Sequence, residues 1–206
     1  MKAPSAKQRV FIEAGRSEFV RNGYGASSIR TIAQEAGVSL SALYYHYKNK
    51  QELLLATLMD GVDTYDAVCD AELAGAGDDP AEQLRAFVRG NVKFRTQFPE
   101  QGRMIATEVR NLEPEGARLY EERRRAGRRR VRDIIDEGIG IGVFTTRFPD
   151  DCRRSILAMT SAIANWYDPE GPDSPDVIAE RYAELSLTLL CPGGVPVPAT
   201  DGRDER

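Results

Sequence analysis

The chain has 206 residues, 41% hydrophobic and 29% charged, enough apolar mass for one large domain or two small ones. Its net charge of −4 excludes a wholly basic coat, yet residues 1–50 carry eight bases against three acids, a net of +5, which leaves −9 on the rest. Three scattered cysteines and a lone histidine, His46, argue against a disulfide framework, a His/Cys zinc site and a histidine-centred catalytic arrangement. No apolar run resembles a signal peptide or a membrane span, so a cytoplasmic protein without a cofactor is expected.

In chain order, Phe11, Gly15 and Phe19 recur every fourth residue and predict a first helix, stopped at Asn22-Gly23-Tyr24-Gly25. Ser28 caps a short helix carrying Ile29, Ile32 and Ala33 that ends at Gly37. Ser39 caps another, with Leu43 and Tyr47 on its inner face. Asn49 and Glu52 form a capping box for a long helix through Leu54, Leu58, Val62 and Tyr65, broken at Gly75–Pro80. The next helix carries Leu84, Phe87, Val88 and Asn91. A shorter one holds Met104, Ile105 and Leu112, and a long arginine-rich one runs to about Gly138. Pro149 opens a helix through Ile156, Met159 and Ile163 to Trp166-Tyr167, and the last places Ile178, Tyr182, Leu185 and Leu189 in phase.

No segment alternates long enough for a strand. The expected fold class is all-α with about nine helices: a three-helix helix-turn-helix domain over 5–65, a helical domain over 66–191 and a disordered tail over 192–206.

Ser28 to Tyr47 carries the functional signal. Two capped short helices around a Gly37 turn have helix-turn-helix geometry. The inner faces leave Ser41, Ala42, Tyr45 and His46 pointing out; small hydroxyl side chains near the helix N-terminus let it sit deep in a major groove, and Tyr45 can reach bases or sugars. Ser28, Thr31, Tyr44, Lys48 and Lys50 surround them as phosphate partners, and Ser39 sits at the helix start.

Five clusters resemble the tetracycline-repressor (TetR) family of bacterial regulators: Phe19-x-x-x-Gly23-Tyr24, Ser28-x-x-x-Ile32-Ala33, Ala36-Gly37-Val38-Ser39, Leu43-Tyr44-x-His46-Tyr47 and Lys50-x-Glu52-Leu53-Leu54. The resemblance implies an N-terminal DNA-binding domain and a C-terminal ligand-binding and dimerisation domain. It also implies phosphate contacts from Tyr44, His46 and Lys50, and base-facing roles for Thr31, Ser41, Ala42 and Tyr45. Ser41, Gly15 and Glu18 depart from the family's usual glycine, alanine and apolar residue. The Trp166-Tyr167-x-Pro169-x-Gly171-Pro172 corner is similar to members governing lipid and sterol catabolism.

Gly138-Ile-Gly-Ile-Gly142 reads as a helix C-terminus, since no strand precedes it as a dinucleotide fingerprint requires. On a helical wheel Arg118, Arg125, Arg129 and Arg132 form a solvated face, helped by a Glu121–Arg125 pair, while Arg123 and Arg130 fall in the apolar arc. Those two either snorkel, pair with a buried carboxylate or meet an acidic ligand. The expected ligand-binding set is Phe87, Asn91, Phe94, Met104, Arg123, Arg130, Met159 and Trp166. The expected homodimer interface comprises Ile156, Ile163, Ile178, Tyr182, Leu185 and Leu189.

The reading is a dimeric repressor of double-stranded operator DNA. A small apolar effector with an acidic end, such as an acyl or steroid acid or its CoA thioester, releases it. The rival reading is an all-α small-molecule-binding protein or enzyme whose basic head is incidental.

Overall fold

Caps and prolines set where the helices begin. In the computed structural model, which describes residues 4–193, the order is α1 (Ala6–Ala26), α2 (Ile29–Glu35), α3 (Leu40–His46), α4 (Lys50–Leu73), α5 (Pro80–Gln97), α6 (Pro99–Thr107), a 3-10 turn (Val109–Asn111), α7 (Pro114–Gly140), α8 (Pro149–Trp166) and α9 (Pro175–Leu190). The side chains of Ser28, Ser39 and Asn49 accept from the backbone N–H three residues on. Helices α5 to α9 each carry proline in the first turn, where its missing N–H has no intrahelical partner to lose. The expected box at α4 is half formed: Glu52 takes the backbone N–H of Lys48 at 2.8 Å rather than that of Asn49. Gly23 at φ 73° kinks α1 where the sequence stops it. The expected tail falls, beyond residue 193, outside the described residues.

Every secondary-structure element among the described residues is a helix, with no strand among them. Two cores form. The head core gathers Phe11, Phe19, Ile32, Leu43 and Tyr47 around Leu53, Leu54 and Leu58 of α4. It also takes in Met104 of α6 and Tyr120 of α7, so the head packs beyond residue 65 of the sequence division. The second core joins Leu84, Phe87 and Val88 of α5 to Ile134, Ile156, Ile163 and Leu187. Burying each such side chain stabilises by about 1.5–3 kcal/mol.

Helix α4 crosses between the two cores. It approaches α5 closely: a Cβ on Gly90 would stand 2.9 Å from the Cys69 Cα. The glycine-rich segment at the end of α7 is a helix terminus. Gly142 has φ 80°, Phe144 donates its N–H to the Gly138 carbonyl at 3.0 Å, and the Phe144 ring covers the space that a Gly138 side chain would need.

Candidate functional site

The face formed by α2 and α3 is held from inside and free outside. Ile32, Ala33 and Leu43 are buried, and Tyr47 with them. That leaves Tyr45 86% exposed and Tyr44 46% exposed. Ser41 is exposed and Ala42 half-exposed beside them, and Lys48 follows in the loop after α3. The Ser28 and Thr31 hydroxyls share a hydrogen bond at 2.7 Å, as do those of Ser39 and Ser41 at 3.0 Å. Each pair can pass its free lone pairs or proton outward.

Two residues expected on this face have other duties. Lys50 Nζ donates to the carbonyls of Tyr24 at 2.7 Å and Ser27 at 2.8 Å, and lies 4.2 Å over the Tyr24 ring. It ties the end of α1 to the start of α4, because the last carbonyls of α1 lack helical partners. His46 is half-buried, its ring 5.3 Å from Phe11 and 5.2 Å from Tyr45. It props Tyr45 rather than projecting freely.

A cavity lies between α4, α5, α7 and α8. Its volume is about 50 Å³, and it opens to solvent beside Ser161, which is exposed. Val62, Ile105 and Leu157 supply apolar walls; Tyr65, Asn91 and Ser161 supply polar ones. Tyr65 donates its hydroxyl to Asn91 Oδ1 at 3.0 Å, and Asn91 donates to the Phe87 carbonyl at 2.9 Å. Burial pushes the Tyr65 phenol well above its ordinary range, so it stays protonated.

Charge in the cavity is unbalanced. Arg95 is 6% exposed, and its Nε has no hydrogen-bond partner. Among the described residues its one hydrogen bond runs from Nη2 to Ser161 Oγ at 3.4 Å, and the guanidinium lies 5.1 Å over the Phe94 ring. Burial pulls its guanidinium below the ordinary value, and the like charge of Arg124 acts in the same direction. Arg124 also lines the cavity, 5.7 Å over the Tyr120 ring, whose buried hydroxyl has no partner.

Residues 11–57 match the model for bacterial regulatory proteins of the tetR family, and residues 77–190 match the tetracyclin repressor-like C-terminal domain. This chain belongs to the tetR family. It is 24% identical over 190 residues to the HTH-type transcriptional repressor KstR2 of Mycolicibacterium smegmatis, covering 89% of this chain and 90% of that protein. A tetR-family regulatory protein from Rhodococcus RHA1 is similar in structure, with TM-score 0.82 and 26% identity over 91% of this chain and 98% of that one. AibR, solved in complex with isovaleryl coenzyme A and operator DNA, has TM-score 0.77 and 23% identity over 90% and 98% of the two chains.

Within this tetR-family chain, the ligand residues expected from sequence scatter. Asn91 lines the cavity, and Phe94 stands behind it, edge-on to Tyr65 at 5.3 Å. Phe87 is spent in the second core and Met104 in the head core. Met159 packs half-buried against the second core, and Trp166 is 49% exposed, stacked on Tyr182 at 6.3 Å.

Arg123 and Arg130 are corrected from ligand contacts to ion pairs. Arg123 holds Asp63 at 2.6 Å and Asp66 at 2.5 Å; Arg130 holds Asp66 at 3.1 Å and Asp70 at 2.9 Å. The buried carboxylate weighed in the sequence is therefore Asp66 on α4. Glu121 takes Arg128 rather than Arg125. Arg95 and Arg124 were missed. Arg95 falls in α5 among apolar residues, and an unpaired arginine there was the available signal.

The expected dimer residues divide. Ile156, Ile163 and Ile178 are at most 3% exposed inside the chain's own core and cannot meet a partner. Leu185 at 53% and Leu189 at 38% exposure face outward on α9, with Tyr182 half-buried beside Trp166. Ala158 and Ala162 of α8 are exposed in phase with Trp166.

Proposed function

We propose that this chain is a homodimeric repressor, released from operator DNA by a small molecule bound in the α4–α5–α7–α8 cavity. One observation carries this reading. The cavity is walled in part by α4, whose first turns pack in the head, and a chain of contacts joins the cavity to the end of α1. Arg95 in the cavity packs on α6, where a Cβ on Gly102 would stand 3.3 Å from its guanidinium. Helix α6 ends at Glu108, whose carboxylate accepts the Tyr24 N–H at the end of α1. An effector that displaces Arg95 thus acts on α6 and through it on the head.

Ser41, Ala42, Tyr44 and Tyr45 would read the groove, with Ser28, Thr31, Ser39 and Lys48 toward phosphates. The outer faces of α8 and α9, with Trp166, Leu185 and Leu189, would pair about a two-fold axis. Two recognition helices about 34–36 Å apart, or a multiple of that, then require a near-palindromic operator. The effector would be largely apolar with an acidic end: an acyl or steroid acid, or its CoA thioester. The complex of AibR with isovaleryl coenzyme A supports this class, as does the likeness to KstR2, a ketosteroid transcriptional regulator of Mycobacterium tuberculosis.

Fluorescence anisotropy on labelled DNA from the flanks of the gene tests the reading. Saturable binding to one short near-palindrome, reversed by an acid or thioester of this class, is expected. Binding that never exceeds binding to random DNA would count against it.

A further inference from the structure

The effector cavity holds a positive charge that the protein leaves unanswered. Four arginines of α7 are half-buried: Arg123, Arg124, Arg128 and Arg130. Three of them pair with carboxylates, of Asp63 and Asp66, of Glu121, and of Asp66 and Asp70. Among the described residues Arg124, turned to the cavity, has no such partner, and neither does Arg95 beside it. The one carboxylate in the cavity wall, Asp66, already answers two guanidinium groups. A buried guanidinium without a counter-charge, next to a second one, is unfavourable unless an anion joins them.

The space admits that anion. The cavity volume of about 50 Å³ exceeds the roughly 10–15 Å³ that one water needs. A carboxylate fits beside the two guanidinium groups. The apolar walls of Val62, Ile105 and Leu157 line the same cavity.

We propose that the part of this cavity lined by Arg95 and Arg124 is a carboxylate subsite, in which a free carboxylate of the effector seats against both guanidinium groups. The proposal rests on the effector reading above and sharpens it. Ser161, already holding Arg95, is placed to donate its hydroxyl to the same anion. The hydrocarbon body extends past Val62 and Leu157 toward solvent. The planar guanidinium forks match a carboxylate's two oxygens. A simple acyl thioester presents an uncharged carbonyl at this depth and leaves both cations unpaired. The subsite therefore prefers a free acid, or the free acid end of a half-thioester of a dicarboxylic acid, over a plain acyl-CoA.

The full chain is tested by thermal shift and by operator release. The probes are the sodium salts of straight-chain acids of four to twelve carbons and sodium cholate. Their primary amides and octanoyl-CoA serve as comparisons. At least one acid is expected to raise the melting temperature saturably, its amide needing at least tenfold more. Arg95→Met should melt higher than the wild type when unliganded, because it removes an unpaired buried charge, and should lose the response to the acid. Arg124→Gln should raise the required concentration at least tenfold. The carboxylate subsite is overturned if no acid shifts melting, if acid and amide act alike, or if the response survives in both variants. Octanoyl-CoA releasing operator equally from wild type and both variants would remove the subsite and leave the repressor standing. A chain with no preference for any operator would remove the repressor reading itself.

Discussion

The backbone N–H of Tyr24 donates to a carboxylate oxygen of Glu108 at 3.0 Å, across 84 positions of sequence. Glu108 is 6% exposed and also accepts from Asn111 at 2.8 Å. This is the polar joint between the head and α6. Glu108→Ala leaves a part-buried N–H unsatisfied and should cost about 1–3 kcal/mol. Melting should fall by about 2–4 °C per kcal/mol in a chain of this size. On the proposed route through α6, operator release by effector should also need more ligand in Glu108→Ala. An unchanged release curve with lowered melting would restrict Glu108 to a structural part.

Tyr45 and Lys50 should separate in their effects. Tyr45→Ala is expected to weaken operator binding more than binding to random DNA, with melting nearly unchanged, because the side chain is 86% exposed. Lys48→Ala should weaken both and lower the salt slope by about one unit. Lys50→Ala should instead lower melting, since its Nζ holds two carbonyls at the end of α1. Anisotropy at three salt concentrations, beside a melting curve, distinguishes the three patterns.

Leu185→Asp and Leu189→Asp place charges on the outer face of α9. Sedimentation at micromolar concentration should show the wild type as a dimer and the double variant as a folded monomer. A dimeric double variant would move the interface elsewhere.

Gly138→Ala drives a methyl group into the Phe144 ring. Overpacking of this kind typically costs about 1–3 kcal/mol. Adding Phe144→Leu should recover part of the loss, which a thermal double-mutant cycle measures.

Burial pushes the Cys69 thiol up to about 12 from its ordinary 9.0, and the Tyr65 hydroxyl acts against that rise. In the unfolded chain the thiol ionises near its ordinary value, so the unfolded state loses the proton first. The stabilisation is complete below about pH 9 and is lost as pH rises toward 12. Native protein should react slowly with Ellman's reagent at pH 8, and all three cysteines, buried as they are, should appear only on denaturation. A fast-reacting thiol in the native state would contradict this.

Local signals carried the fold. The serine caps, the Gly23 and Gly37 stops and the fourfold spacing of Phe11, Gly15 and Phe19 are properties of neighbouring residues, and each appears where the sequence puts it. The recognition face followed, since inner and outer positions of a seven-residue helix are set by one turn. The cavity was not legible in the same way. Periodicity says that Phe87, Met104 and Ile156 are buried, but not against which helix, and each fills a core instead. Arg123 and Arg130 stood out on the wheel because they break the apolar arc. Their partners, Asp63, Asp66 and Asp70, lie on α4 and are invisible until α4 and α7 are packed. Lys50 looked like a phosphate ligand because its partners, the Tyr24 and Ser27 carbonyls, belong to the backbone.

Helix α4 is unbroken from Lys50, tied to the end of α1, to Asp66 in the cavity wall. At 1.5 Å per residue that stretch is a rod of about 24 Å. A rod turns angle into distance: tilting it by about 5° at Asp66 carries Lys50 through about 2 Å. In a two-fold pair both heads swing, and the gap between them changes by up to about 4 Å against a DNA repeat of about 34 Å. A motion smaller than a water molecule at the ligand therefore becomes a phase error along the double helix.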